Sequence, residues 1–129
     1  MRRRIALLAV AALVVAVVLV FVGRWERQHR ADDQNRGMRR VARAIGPLDQ
    51  RSLDAFRHLG EFDCLLYKRG KNPFALELCV DHSGRVVETI DRRGSTPKIW
   101  SLRDDPARAT IRVDYAEFQR LYAREVAAP

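Results

Sequence analysis

Cys64, Cys79, His58 and His82 are the residues whose types could do chemistry, because thiolate sulfur and imidazole nitrogen are the usual donors to zinc. Their spacing argues against that use. The chain has no Cys-x-x-Cys and no His-x3-His pair, so no metal or other cofactor is expected. Cys64 acting as a nucleophile, with His58 or His82 as its base, is the second chemistry these residues could support. It requires a free, low-pKa thiolate. A disulfide is the third and the favoured one. The two cysteines are equidistant from the Lys71/Asn72 peptide, inside the turn sequence Gly70-Lys71-Asn72-Pro73, so folding two strands about that turn sets Cys64 directly across from Cys79. The same register faces Leu65 with Leu78 and Tyr67 with Leu76. It puts Leu65, Tyr67, Phe74, Leu76, Leu78 and Val80 on one face and Cys64, Cys79, Glu77 and Asp81 on the more polar other. A bridge closing so short a loop contributes about 3 kcal/mol in the chain-entropy treatment.

Other groupings carry less. Asp81-His82-Ser83 holds the three residue types of a hydrolytic triad, but consecutive residues in a tight turn project apart, so it reads as turn chemistry. Asp104-Asp105-Pro106 is a single acidic turn, too little for a calcium cage. The chain contains no Gly-x-Ser-x-Gly, no His-Glu-x-x-His and no phosphate-cradling glycine loop. Trp100 and Leu102 share a strand face. They read as a core anchor under a C-terminal helix, or as a partner contact if that face is open.

The elements that must position these residues change period along the chain. Arg36 to Ile45 reads as a helix with Arg36, Arg39, Arg40 and Arg43 on one side and Met38, Val41, Ala42 and Ile45 on the other. Gly37 marks a break and Gly46-Pro47 a stop after the amphipathic helix, and Asp49 or Ser52 caps a second short helix presenting Leu53, Phe56 and Leu59. From Gly60 the pattern alternates, with strands expected at 61–67, 74–81, 85–91, 98–102 and 110–113 in an antiparallel meander. A bulge at Gly84 would shift the third strand, leaving open which of Val86 and Val87 points inward. Asp114-Tyr115-Ala116-Glu117 has capping-box spacing and starts a C-terminal helix with the stripe Tyr115, Phe118, Leu121 and Tyr122. The fold class is α+β: an N-terminal transmembrane helix, short membrane-proximal helices, then a small meander packed by a C-terminal helix. The corresponding boundaries are 1–23, 24–59 and 60–129.

The transmembrane helix is the run Ile5 to Val22, preceded by Arg2, Arg3 and Arg4. Its length reaches the lower bound of roughly 17 to 18 residues for a span. A cleavable signal peptide is the rival, but its apolar region is shorter and ends at a small-x-small site, whereas this run closes on Phe21-Val22-Gly23-Arg24-Trp25. A retained anchor is favoured. Trp25 then sits at headgroup level, with Arg24 and Arg27 snorkelling beside it. The arginine count across the run slightly favours a cytoplasmic body. The cost of translocating a short tri-arginine tail, the acids Glu26, Asp32 and Asp33 beyond the run, and the cysteine pair favour a cytoplasmic N-terminus with the body outside.

The net charge of +8 is concentrated near the membrane rather than in the body. Residues 59–129 carry twelve basic and eleven acidic side chains, so the body is nearly neutral and a nucleic-acid partner is disfavoured. The basic excess suits anionic lipid headgroups, which Arg36, Arg39, Arg40 and Arg43 could meet if their helix lies on the bilayer. Its alternative is an ordinary domain helix with solvated arginines. The function expected is a non-catalytic, membrane-anchored, extracytoplasmic binding module for an envelope protein or peptide. The alternatives are a membrane-tethered thiol enzyme and a cytoplasm-facing nucleic-acid-binding protein.

Overall fold

The computed structural model describes the backbone of residues 2–46 and 53–127, and their side chains except those of Asp54 and residues 122–127. Its elements are α1 (Arg2–Ile45), β1 (Leu53–Leu59), β2 (Phe62–Arg69), β3 (Asn72–Val80), β4 (Val86–Asp91), β5 (Lys98–Ser101), a 3-10 turn (Pro106–Arg108) and α2 (Tyr115–Ala127). The chain divides into two units, one ending at Asp32 and one beginning at Asp33, with α1 contributing to both.

In the first unit every side chain from Ile5 to Val22 is exposed, with Leu7 at 69% and Phe21 at 75%. Eighteen residues rise about 27 Å, close to the hydrocarbon thickness of a bilayer. α1 is the one helix among the described residues long and apolar enough to cross a membrane.

The second unit is α+β. Its sheet is a meander in the order β1-β2-β3-β4-β5, every pair antiparallel. Two-residue loops close the first two hairpins: Leu59 pairs with Phe62 around Gly60-Glu61, and Arg69 with Asn72 around Gly70-Lys71. Gly60 and Gly70 have φ of +61° and +58°, the left-handed backbone that the first residue of a type II′ loop needs. The second turn therefore centres one residue earlier than expected. A register irregularity between Tyr67 and Arg69 absorbs the difference, so Cys64 still opposes Cys79, Leu65 opposes Leu78 and Tyr67 opposes Leu76.

Four expectations are corrected. The segment from Leu53 is a strand, not a helix, because a short apolar run satisfies either period and pairing with β2 decides it. The proposed caps Asp49 and Ser52, like Pro47, lie outside the described residues. Residues 110–113 form no strand; Arg112 makes an isolated bridge to Arg85, and the Ile111 carbonyl accepts from the Val86 N–H at 2.9 Å. The bulge falls within β4 rather than at Gly84: Val80 pairs with Val86 while Cys79 pairs with Glu88, and both Val86 and Val87 are buried. Finally, α1 does not break at Gly37. A Cβ there would lie 2.1 to 2.3 Å from indole atoms of Trp100, so glycine serves close helix–sheet approach.

One sheet face carries the main core. Phe56, Leu65, Leu78, Thr89 and Trp100 follow one another across the five strands. Phe118 of α2 packs on Phe56 with ring centroids 6.1 Å apart, and Gly37 of α1 receives Trp100, so both helices cover this face. Met38, Val41, Ile45, Phe118 and Leu121 are buried there with Leu65, Tyr67, Leu76 and Leu78. Fully burying each large apolar side chain stabilises by about 1.5 to 3 kcal/mol. Asp114 caps α2, its Oδ1 accepting from the N–H groups of Ala116 at 3.0 Å and Glu117 at 3.3 Å. Arg69 donates to the Ala44 carbonyl and, at 2.9 Å, to that of Ile45, closing the C-terminal end of α1. The Tyr122 side chain lies outside the described set.

Candidate functional site

The opposite sheet face is where charge and sulfur meet. Strand alternation and register bring Arg57 of β1, Cys64 of β2, Glu77 and Cys79 of β3 and Glu88 of β4 to this side. Cys64 and Cys79 form a disulfide, with Cα atoms 4.0 Å apart and both residues fully buried. Buried sulfurs already joined to each other offer no thiolate. His58 stands on the other face, where its Nδ1 lies 2.6 Å from Asp63 Oδ1, so the strand geometry separates it from Cys64.

Glu77 is fully buried and Glu88 nearly so. A buried carboxylate is costly unless paired. Arg57 Nη2 donates to Glu77 Oε2 at 2.7 Å and Arg92 Nη2 approaches the same oxygen at 3.6 Å, while Arg103 Nε lies 3.1 Å from Glu88 Oε1. Three partly exposed guanidinium groups thus pair with two carboxylates on the face that holds the disulfide. The pairing is incomplete. Glu77 Oε1 has no hydrogen-bond partner among the described residues, and Glu88 Oε2 faces Cys79 Sγ at 3.9 Å, a contact that is no hydrogen bond while the sulfur carries no hydrogen.

Trp100 is half-buried between Gly37 and the Arg40 guanidinium, which stands 6.0 Å from the ring centroid, and Leu102 is buried. The cover over Trp100 is α1, not the C-terminal helix expected from sequence. Gln34 Oε1 accepts from the Ser101 N–H at 2.9 Å, occupying part of the outer edge of β5. Asn35 bonds both the Arg108 carbonyl at 2.9 Å and the Thr110 N–H at 3.1 Å, holding the segment after β5 against α1. Sequence reading missed Gln34 and Asn35, since nothing local separates them from other polar stalk residues.

Arg36, Arg39, Arg40 and Arg43 are exposed, and Arg36 lies 3.7 Å from Asp33. The apolar side of that helix is engaged inside the domain, where Met38, Val41 and Ile45 are buried. In the first unit Arg24, Trp25 and Arg27 are exposed, and Trp25 stacks against His29 at 4.4 Å.

At the β3–β4 turn a shallow cleft of about 420 Å³ is lined by Glu61, Phe62, Asp81, His82, Ser83, Arg85 and Pro106. Asp81 Oδ1 accepts from the Ser83 N–H, the Ser83 hydroxyl and the Arg85 N–H at 2.7 to 2.9 Å. Burial acts to raise its pKa, but these bonds and the Arg85 charge together hold it below the usual carboxylate value. The hydroxyl and carboxylate are thereby committed to the turn, and His82 stands apart, exposed and 6.4 Å from the Tyr115 ring.

No family model matches the chain, no curated protein is significantly similar to it, and no solved structure matches its fold.

Proposed function

We propose that this chain is a single-pass membrane protein with its N-terminus in the cytoplasm and its α+β body outside, serving as a non-catalytic binding module for a neighbouring envelope protein or peptide. The observation that carries the reading is the conjunction of a fully exposed apolar helix with a domain stapled by a buried disulfide. An exposed apolar run of that length has its lowest free energy in lipid, and a structural disulfide persists in oxidising compartments. Trp25 with Arg24 and Arg27 then marks the outer headgroup level.

Of the two sheet edges, β1 is the better platform for strand addition, because Gln34 already occupies the Ser101 donor on β5. Exposed Ile99 and the Arg40-covered indole of Trp100 remain beside the β5 edge as a secondary contact.

The test places a cysteine at the exposed tip of the second hairpin, Lys71→Cys, with the native disulfide intact. Treatment of whole cells with a membrane-impermeant maleimide should modify it without lysis. Modification only after lysis, with a periplasmic or surface control labelled, would place the body in the cytoplasm and sink the reading.

A further inference from the structure

We propose that Cys64, Cys79, Glu77 and Glu88 constitute a zinc site that opens when the disulfide is reduced. Four potential donors lie on one sheet face, within two neighbouring strand pairs. Oxygens of Glu77 and Glu88 and the Cys79 sulfur lie within 4.8 Å of one another. Cys64 is bonded to that sulfur. A tetrahedral zinc holds sulfur and oxygen donors roughly 3.3 to 3.8 Å apart, so side-chain adjustments of about 1 Å complete the shell.

An independent sign comes from the unmatched oxygen. Glu77 is fully buried, yet Arg57 and Arg92 both address its Oε2 and leave Oε1 bare. An unpaired carboxylate oxygen at such depth costs free energy unless a cation or donor reaches it. Glu88 has the same asymmetry, with Arg103 on Oε1 and the sulfur facing Oε2.

The charge balance permits the exchange. Reduction by a dithiol breaks the S–S bond; two electrons and two protons pass to Cys64 and Cys79, and the dithiol becomes a disulfide. Zinc then displaces both thiol protons. A zinc dithiolate unit is neutral, as the disulfide was, so the three arginines keep partners of unchanged total charge. The disulfide and the metal are alternative staples at one place, the first for oxidising surroundings and the second for reducing ones. This inference does not depend on which side of the membrane the body occupies.

The full chain in detergent micelles, reduced with a phosphine that is then removed, is titrated with Co²⁺. The reduced protein should take up one equivalent with thiolate-to-cobalt absorption, release two protons and yield the cobalt to Zn²⁺, whereas the oxidised protein should show no such absorption. Glu77→Gln and Glu88→Gln should each weaken binding by at least about tenfold, while His58→Ala and His82→Ala leave it unchanged. Where Glu77→Gln fails to fold, Glu88→Gln and the proton count carry the test. If reduction unfolds the chain, recovery of its thermal transition by Zn²⁺ supports the site and absence of recovery overturns it. Absence of thiolate absorption, binding as tight as in the unsubstituted protein in both glutamine variants, or loss of binding in either histidine variant also overturns it.

Discussion

Gly37 shows how much rests on one absent methyl group. In an exposed helix glycine costs up to about 1 kcal/mol relative to alanine, so Gly37→Ala would ordinarily stabilise. Here a Cβ would come within 2.3 Å of three indole atoms, and Trp100 must move to admit it. Gly37→Ala is expected to lower stability by about 1 to 3 kcal/mol in urea denaturation. Gly23→Ala, where a Cβ meets nothing within 4 Å, should lose none. Equal effects of the two substitutions would show that the Trp100 contact does not constrain the helix. Sequence alone suggested a helix break at Gly37, because a glycine that ends a helix and one that admits a neighbour look identical until the neighbour is known.

At the scale of elements, the β3–β4 turn is held by one carboxylate. Asp81 accepts three hydrogen bonds, and its folded pKa lies below the ordinary value of 3.8. The sign follows from linkage: a depressed folded pKa contributes stability that is fully present above the unfolded value and lost as pH falls through the folded one. Asp91 behaves likewise, mainly because the Arg93 side chain bonds it. Stability should therefore decline as pH drops below about 4, and Asp81→Asn should flatten part of that decline. Parallel acid profiles for the two proteins would exclude the turn as a contributor. β1 illustrates the opposite case, an element that its own residues do not specify. Leu53, Phe56 and Leu59 suit a helical stripe, and only the adjacent strand β2 selects the extended form.

For the whole molecule, the exposed apolar stretch of α1 and the mixed body pose different solvation problems. A charge in the middle of the stretch should oppose membrane residence at about 2.5 to 3.5 kcal/mol. Leu13→Arg is expected to raise the fraction of the protein released from membranes by alkaline carbonate, while Arg57→Lys, in the body, should not. Retention of Leu13→Arg at the wild-type level would mean that the stretch does not hold the protein in lipid.

Period and composition determined the apolar helix, the alternation of β2 to β5, the capped start of α2 and the opposition of Cys64 to Cys79, because each depends on residues close in sequence. Glu77 was legible as a neighbour of the cysteines by alternation, but its burial was not. The tertiary structure decided the continuity of α1 through Gly37, the strand identity of β1, and the convergence of Arg57, Arg92 and Arg103 on two buried carboxylates. Those features depend on partners up to 63 positions apart, such as Gly37 and Trp100, and only packing brings such partners together.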